Sequence, residues 1–348
     1  MPKRNLPTIR EVAKKANVST ATVSHVFNNT RYVTEETREL VLEAAKFLNY
    51  QPSSIARSLS TNNTKIVGML VVDVLNPFFA YLIQGISELL WDKGYNLLLC
   101  STHEDPKKEK YFLQDLLERR VDGIIISPTG FDQPIIQDFQ RHEIPLVFID
   151  RHPPEDYGPV IQTDNVKAGY MSTKHLLELG HRRIMLMTRN PFLSTVRGRM
   201  EGYRQAFAEV DIPVDEELIK VIEQRQDSAQ EATVKALQME NPPTAIIATN
   251  HVITLGVLEG IKDLNIRIPD DISIIGFDDL PWYSLLTPPL TAIQHPITSI
   301  CERSVEVLSE MMSISENQTN NLTPQIYHNF SNIFLKPKLI ERGSCRLI

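Results

Sequence analysis

The chain has 348 residues, room for two or three domains, and its 42% hydrophobic content is ample for large buried cores. There is no apolar run long enough to span a membrane and no apolar signal region in "MPKRNLPTIR", so a cytoplasmic protein with no membrane partner is expected. Cys100, Cys301 and Cys345 lie far apart without ligand spacing, which argues against a disulfide framework or a metal cluster. The net charge of −7 is unevenly spread: residues 1–64 hold nine Lys/Arg against five Asp/Glu, and the remainder 27 against 38. A basic end on an acidic bulk supplies phosphate contacts locally while weakening indiscriminate adhesion to nucleic acid.

The first elements lie in "TIREVAKKANVSTATVSHVFNNT", positions 8 to 30. Thr8 can cap a helix whose buried stripe is Ile9, Val12, Ala13 and Ala16, with Glu11 completing a capping box. Ser19 can cap a second helix with Val23, Val26 and Phe27 inward, which leaves Thr20, Ala21, Thr22, Ser24 and His25 as a small, polar, uncharged face. Solvated faces are usually rich in Lys and Glu. Short donors and acceptors beside Lys14 and Lys15 suit a major groove flanked by phosphates, although helix pairs of this kind also occur in proteins that never meet DNA. A third helix starts near Thr34 with Val41, Ala44, Ala45 and Leu48 inward.

"NYQPSSIARSLSTNNT" follows as a linker in which Ile55, Ala56 and Leu59 could form a short amphipathic helix, or which could be a plain tether. From Lys65, apolar strands alternate with helices: "IVGMLVV", "YNLLLC", "GIIIS" and "LVFID", then a second set from "VIQTD" through "RIMLM", "LIKVI", "AIIAT" and "ISIIGFDD". Continuous Ile/Val/Leu strands joined by amphipathic helices predict parallel sheets covered on both faces, here as two successive Rossmann-like lobes. Ligands of such sheets bind at the carboxyl ends of strands. Those ends carry Asp73 and Asn76, Asp150-Arg151, Asn250-His251 and Asp278-Asp279. With Arg199, and with Phe78 and Phe79 nearby, they would suit a small polyhydroxylated ligand; alternatively they are helix caps and surface charges. No nucleotide loop, nucleophile elbow or metal cluster is present, so neither an enzyme nor a cofactor is expected.

Across nearly its whole length the chain resembles the lactose/galactose-repressor family of bacterial transcription regulators. The matching stretches are "TIREVAKKANVSTATVSHVFN", "PSSIARSLS", "LNPFFAYLIQGI", "DGIIISP", "FIDR", "GHRRI", "RMEGYRQAF", "AIIATNH", "IIGFDD" and "TPPLTAI", and "TVSHVFNNTRYV" is most similar to the purine-repressor branch. The resemblance implies an N-terminal all-α helix-turn-helix head (1–50), a hinge (51–64), and an α/β core of two Rossmann-like lobes of the type I periplasmic-binding-protein kind. It divides the core into lobe 1 (65–163 and 293–324) and lobe 2 (164–292 and 325–348), returning the helix near Pro296–Met312 to the first lobe and the "SNIFLKP" strand to the second. It implies a homodimer on a palindromic double-stranded DNA operator, repressing transcription under control of a small effector between the lobes. With thirteen residues after "SNIFL", Lys336 to Ile348, broken by Pro337 and lacking a heptad, a dimer without a tetramerising helix is expected.

Residue by residue, the match puts Thr20, Ala21 and His25 at base-reading positions and Thr22 and Ser24 on phosphates, with Arg31 beside the backbone. Thr8, Ser19 and Asn28 complete the DNA-binding set. Leu59, with Ala56, matches the family's minor-groove wedge, which kinks the duplex at a central base step. Effector contacts fall to Phe78, Phe79, Asp150, Thr195, Arg199, Asn250 and Asp278. Two departures stand out: His251 where the family usually has Asp, and "QRQDSA", offering Arg225, where it often has an aromatic. Added positive charge in the cleft points to a sugar acid or sugar phosphate as well as a neutral sugar. The alternative is a protein co-effector docking outside the core, as in the catabolite-control branch.

Overall fold

The structure, a computed structural model, describes residues 7–28, 31–51, 63–130, 133–153, 155, 157–223, 225–317 and 330–348. Two compact units divide the chain: the residues up to Lys65 with Arg120–Asp122, and the rest. In the first unit, α1 (Ile9–Ala16), α2 (Thr20–Asn28) and α3 (Glu35–Leu48) enclose Val12, Ala13, Ala16, Val23, Val26, Val41, Ala44 and Ala45. The caps fall where the sequence put them. Thr8 N–H donates to the Glu11 carboxylate at 2.7 Å, Thr22 N–H to Ser19 Oγ at 3.0 Å, and Thr37 N–H to Thr34 Oγ1 at 3.4 Å. α1 and α3 end at Asn17 and Asn49, both left-handed, a conformation asparagine tolerates better than most residues. At the end of this unit the Asp122 carboxylate accepts from the N–H groups of Thr64 and Lys65 at 2.9 and 2.6 Å.

The second unit holds two six-stranded sheets. Sheet 1 is built from β1 (Ile66–Val71), β2 (Asn96–Ser101), β3 (Gly123–Ile126), β4 (Leu146–Ile149), β5 (Val160–Thr163) and β11 (Ile333–Leu335), in the order β11-β5-β4-β3-β1-β2. Its strands are parallel and are flanked by α4 (Pro77–Asp92), α5 (Pro106–Glu118) and α6 (Gln133–Arg141), with α11 (Ile297–Asn317) packed into the same core. Sheet 2 runs β12-β10-β9-β8-β6-β7, from β6 (Ile184–Thr188), β7 (Ile219–Val221), β8 (Ala245–Ala248), β9 (Ser273–Phe277), β10 (Thr291–Gln294) and β12 (Lys338–Ile340). Only β12 runs antiparallel, against β10. Its helices are α7 (Asn165–Glu178), α8 (Ser194–Glu209), α9 (Gln226–Leu237) and α10 (His251–Asp263).

The chain crosses between sheets three times: after β5, after β10 and after β11. One strand placement differs from the strand-pattern reading but agrees with the lobe boundary at residue 163, and one differs from the expected lobe. The "VIQT" strand completes sheet 1 beside β4 and does not open the second set, and the "SNIFL" strand pairs with β5 in sheet 1, so the return to lobe 2 comes after Leu335. Both strands are short, and the placement of β11 depends on a partner far back in the chain. The expectation that the helix after Pro296 packs on the first lobe is met by α11, whose Cys301, Val305 and Leu308 join the core with Leu82 and Ile86 of α4.

One close approach sets up the site. A Cβ on Gly202 of α8 would meet Val166 O at 1.9 Å, and one on Gly169 of α7 would meet Arg199 O at 2.1 Å. Only glycine lets the two helix backbones touch there, and this contact places Arg199 of α8 beside Asn165 at the start of α7.

Candidate functional site

The carboxyl ends of the two sheets meet at a small polar cavity of about 50 Å³. Seven of the eight residues expected to hold an effector line it: Phe78, Phe79, Asp150, Thr195, Arg199, Asn250 and Asp278. Asn76, Arg189, Val196, Thr249 and His295 complete the wall. Helix starts supply much of it. Asn76 caps α4 by accepting from Phe78 N–H at 3.0 Å, and Asn250 caps α10 by accepting from Ile253 N–H at 2.9 Å, leaving its amide NH₂ for the cavity. Ligand clefts generally enclose about 300–1,000 Å³. The cavity as it stands is several times smaller than such clefts.

Arg225 is not in the wall. Its guanidinium is exposed, bonded to Asp227 two residues on and 3.7 Å from Glu223, and its backbone starts α9. The local carboxylates hold this side chain, and the positive charge expected from it is not in the wall. His251, the other departure, does reach the site: its backbone N–H and Nδ1 both donate to Asp278, at 2.8 and 3.0 Å.

Asp278 is held from two sides by histidines. Beyond His251 it accepts from Nε2 of His295 at 3.2 Å. His295 Nδ1 shares a hydrogen bond with the Thr163 hydroxyl at 2.8 Å. Thr163 O takes a bond from Asn165 Nδ2 at 3.0 Å, and Asn165 Oδ1 takes one from Arg199 Nε at 2.9 Å. A chain of hydrogen bonds thus runs from Arg199 through two of the three crossover segments to Asp278. Burial opposes ionisation of Asp278, but the bonds and charges of His251 and His295 outweigh it and hold the carboxyl well below the usual range. Arg199, 8% exposed, also donates to Thr249 O and lies 4.6 Å from the centre of the Phe277 ring.

Asp150 contrasts with Asp278. Its side chain is 17% exposed, no hydrogen bond reaches its carboxylate from the described residues, and the nearest cation, Arg151 Nε, is 3.8 Å away. Burial pushes its pKa up against the charges of Arg151, Arg199 and His295. Its φ of 64° holds it in the left-handed region, as 77° does Asp278, so both strand ends are bent to present a carboxylate. At the cavity edge Glu104 takes Arg151 Nη1 and Nη2 at 2.9 and 2.6 Å and Arg189 Nη1 at 3.0 Å; burial opposes its ionisation, yet the two guanidiniums pull its pKa down to about 2.

Arg189, Thr249 and His295 were missed by the sequence reading, although all three follow strands and the strand-end rule applies to them. In the head, Thr20 and Ala21 are exposed on α2, and Thr22, Ser24 and His25 are half-buried on it. Asn28 Nδ2 donates to Ser24 Oγ at 3.2 Å, and Arg31 is exposed just beyond. Ala56 and Leu59, with most of the hinge, lie outside the described residues.

Comparisons with known proteins agree with this architecture. Residues 64–332 match the model described as periplasmic binding proteins and sugar binding domain of the LacI family, and residues 8–53 the model of bacterial regulatory proteins, lacI family. The chain is 37% identical over 306 residues to the HTH-type transcriptional repressor PurR of Aliivibrio salmonicida, covering 88% of this chain and 92% of that one. Among solved structures it is similar to a LacI family regulator from Enterococcus faecium with bound ribose (25% identity, TM-score 0.70, 81% and 99% of the two chains). In fold it also matches the lac repressor dimer bound to operator and anti-inducer (24% identity, TM-score 0.81, 98% and 99%). The chain belongs to the LacI family: it is a DNA-binding transcriptional repressor with a helix-turn-helix head, allied to the purine-repressor branch, on a periplasmic-binding-protein-like core.

Proposed function

We propose that this repressor binds a palindromic operator as a homodimer and that a small, neutral, polyhydroxylated ligand of the pentose or hexose kind, held between the lobes, sets its operator affinity. One observation carries the ligand class. Arg199 is bonded to Asn165 and Thr249, Arg189 to Glu104, and Asp278 to two histidines, which leaves the Asp150 carboxylate as an acceptor without a donor. The missing partner is a hydroxyl or N–H, not an anion. A sugar acid or sugar phosphate, expected while Arg225 was counted in the cleft, has lost its counter-charge there. The ribose-bound relative supports the same class.

A planar base is the second reading, favoured by the Phe78 and Phe79 rings, 5.2 Å apart edge to face in the same wall. Exposed Leu75 and Leu285, 83% and 81% accessible, offer apolar surface for a second copy of the chain. Calorimetry on the full-length protein against a matched panel of neutral sugars, uronic acids, sugar phosphates and purine bases tests the reading. A neutral sugar binding most tightly supports it, and tighter binding of a base or an acid ends it. No binding by any panel member shifts the reading to a protein co-effector outside the core.

A further inference from the structure

We propose that Glu104 and Arg189 form a clasp across the mouth of the cleft, so that the closed arrangement of the lobes is stabilised by the chain's own ion pair as well as by a ligand. Glu104 follows β2 in lobe 1, and Arg189 follows β6 in lobe 2. The carboxylate is delivered by two successive left-handed residues, His103 and Glu104, with φ of 53° and 59°, a backbone conformation non-glycine residues rarely adopt twice in a row. Arg151, 3% exposed, grips it with both terminal nitrogens and also donates to Pro128 O at 3.2 Å.

This fork-to-fork grip matters for the energetics. An exposed ion pair contributes little because both side chains must be ordered to form it. Here Glu104 is already fixed, so Arg189, 18% exposed, is the one partner that loses freedom when the lobes meet. Opening is also tolerable: Glu104 keeps Arg151, and Arg189 passes to water, so no bare charge is left buried. A neutral tie, His152 N–H to Ser194 Oγ at 3.0 Å, lies beside the pair and joins the same two lobes. The clasp acts on lobe motion and holds whatever the effector is.

The test is pulsed electron paramagnetic resonance on the full chain without added ligand, with spin labels at Lys107→Cys and Arg197→Cys, exposed positions on the two lobes. Glu104→Gln and Arg189→Gln should each raise the ratio of long to short separations by about tenfold, the coupling of a close, partly buried charge pair. The double variant should shift no further than either single one. Arg189→Lys, which keeps the charge, should shift it less. An unchanged distance distribution in the folded single variants overturns the proposal, as does a double variant whose shift is the product of the two. If Glu104→Gln fails to fold because Arg151 loses its partner, Arg189→Gln, which leaves the lobe 1 pair intact, decides alone.

Discussion

Asp150→Asn should make the core more stable and its cleft useless. The two side chains have the same shape, and asparagine tolerates the left-handed backbone at φ 64°, so the change removes charge with little strain. In the folded protein the carboxylate is four-fifths buried, has no hydrogen bond from the described residues, and is 3.8 Å from its nearest cation. Neutralising an uncompensated carboxylate of this kind should stabilise by about 1 kcal/mol, in line with other relaxations of strained functional sites. For a domain of this size that raises the melting midpoint by about 2–4 °C. The pH dependence has a definite sign. Burial raises the folded pKa above the unfolded value of about 3.9, so ionised Asp150 costs stability fully above its folded pKa, and the cost fades as pH falls to the unfolded value. The advantage of the Asn variant should therefore be largest near neutral pH and vanish near pH 4. Ligand binding should fall at the same time, because the acceptor for the ligand's donor is weakened. Differential scanning calorimetry across pH, paired with ligand titration, reads both; a variant that melts lower at neutral pH and still binds ligand refutes the reasoning.

Gly202→Ala should destabilise lobe 2 by about 3 kcal/mol, because the new methyl meets backbone atoms of α7 that cannot turn aside, and thermal melting should drop by about 6–12 °C. His25→Ala should cost about 1–3 kcal/mol at one symmetric base-pair position, read by binding to a set of operator variants; a uniform loss would mean that His25 touches phosphate. Leu59→Ala should weaken operator binding by roughly tenfold or more while leaving random-sequence binding nearly unchanged, since the wedge acts on base stacking and the remainder is ionic. Leu285→Asp should shift the protein from dimer toward monomer in light scattering if the exposed leucines face a second copy; an unchanged mass would remove them from the interface.

Legibility in the sequence followed the range of the interaction. Helix caps at Thr8, Ser19, Thr34, Asn76 and Asp105 depend on residues two or three positions away, and each was readable or is obvious in retrospect. The long central strands announced themselves by unbroken apolar runs. The three-residue strand Ile333–Leu335 did not, because its place depends on β5, about 170 residues earlier. The candidate site's wall was mostly visible because it is made of strand ends and of the starts of the helices that follow them, a rule of topology. What stayed hidden was how its charges pair: the contact of Asp278 with His295, on the second crossover just after β10, and the Glu104–Arg189 contact are non-local. The error at Arg225 was of the opposite kind. Asp227, two residues on, was in plain sight, and a local carboxylate is a stronger competitor for an exposed arginine than a cleft.

The central claim is that occupancy of the cleft controls reading of one DNA sequence. Fluorescence anisotropy of the full-length protein on an operator selected from random duplexes, with and without the best-binding panel ligand, tests it most directly when wild type and Asp150→Asn are run side by side. The account predicts that ligand shifts wild-type operator affinity by about tenfold or more, within the usual 1–3 kcal/mol of allosteric coupling, with no shift on random DNA and little in the variant. An equal ligand response in wild type and variant, or no sequence preference at all, would contradict it.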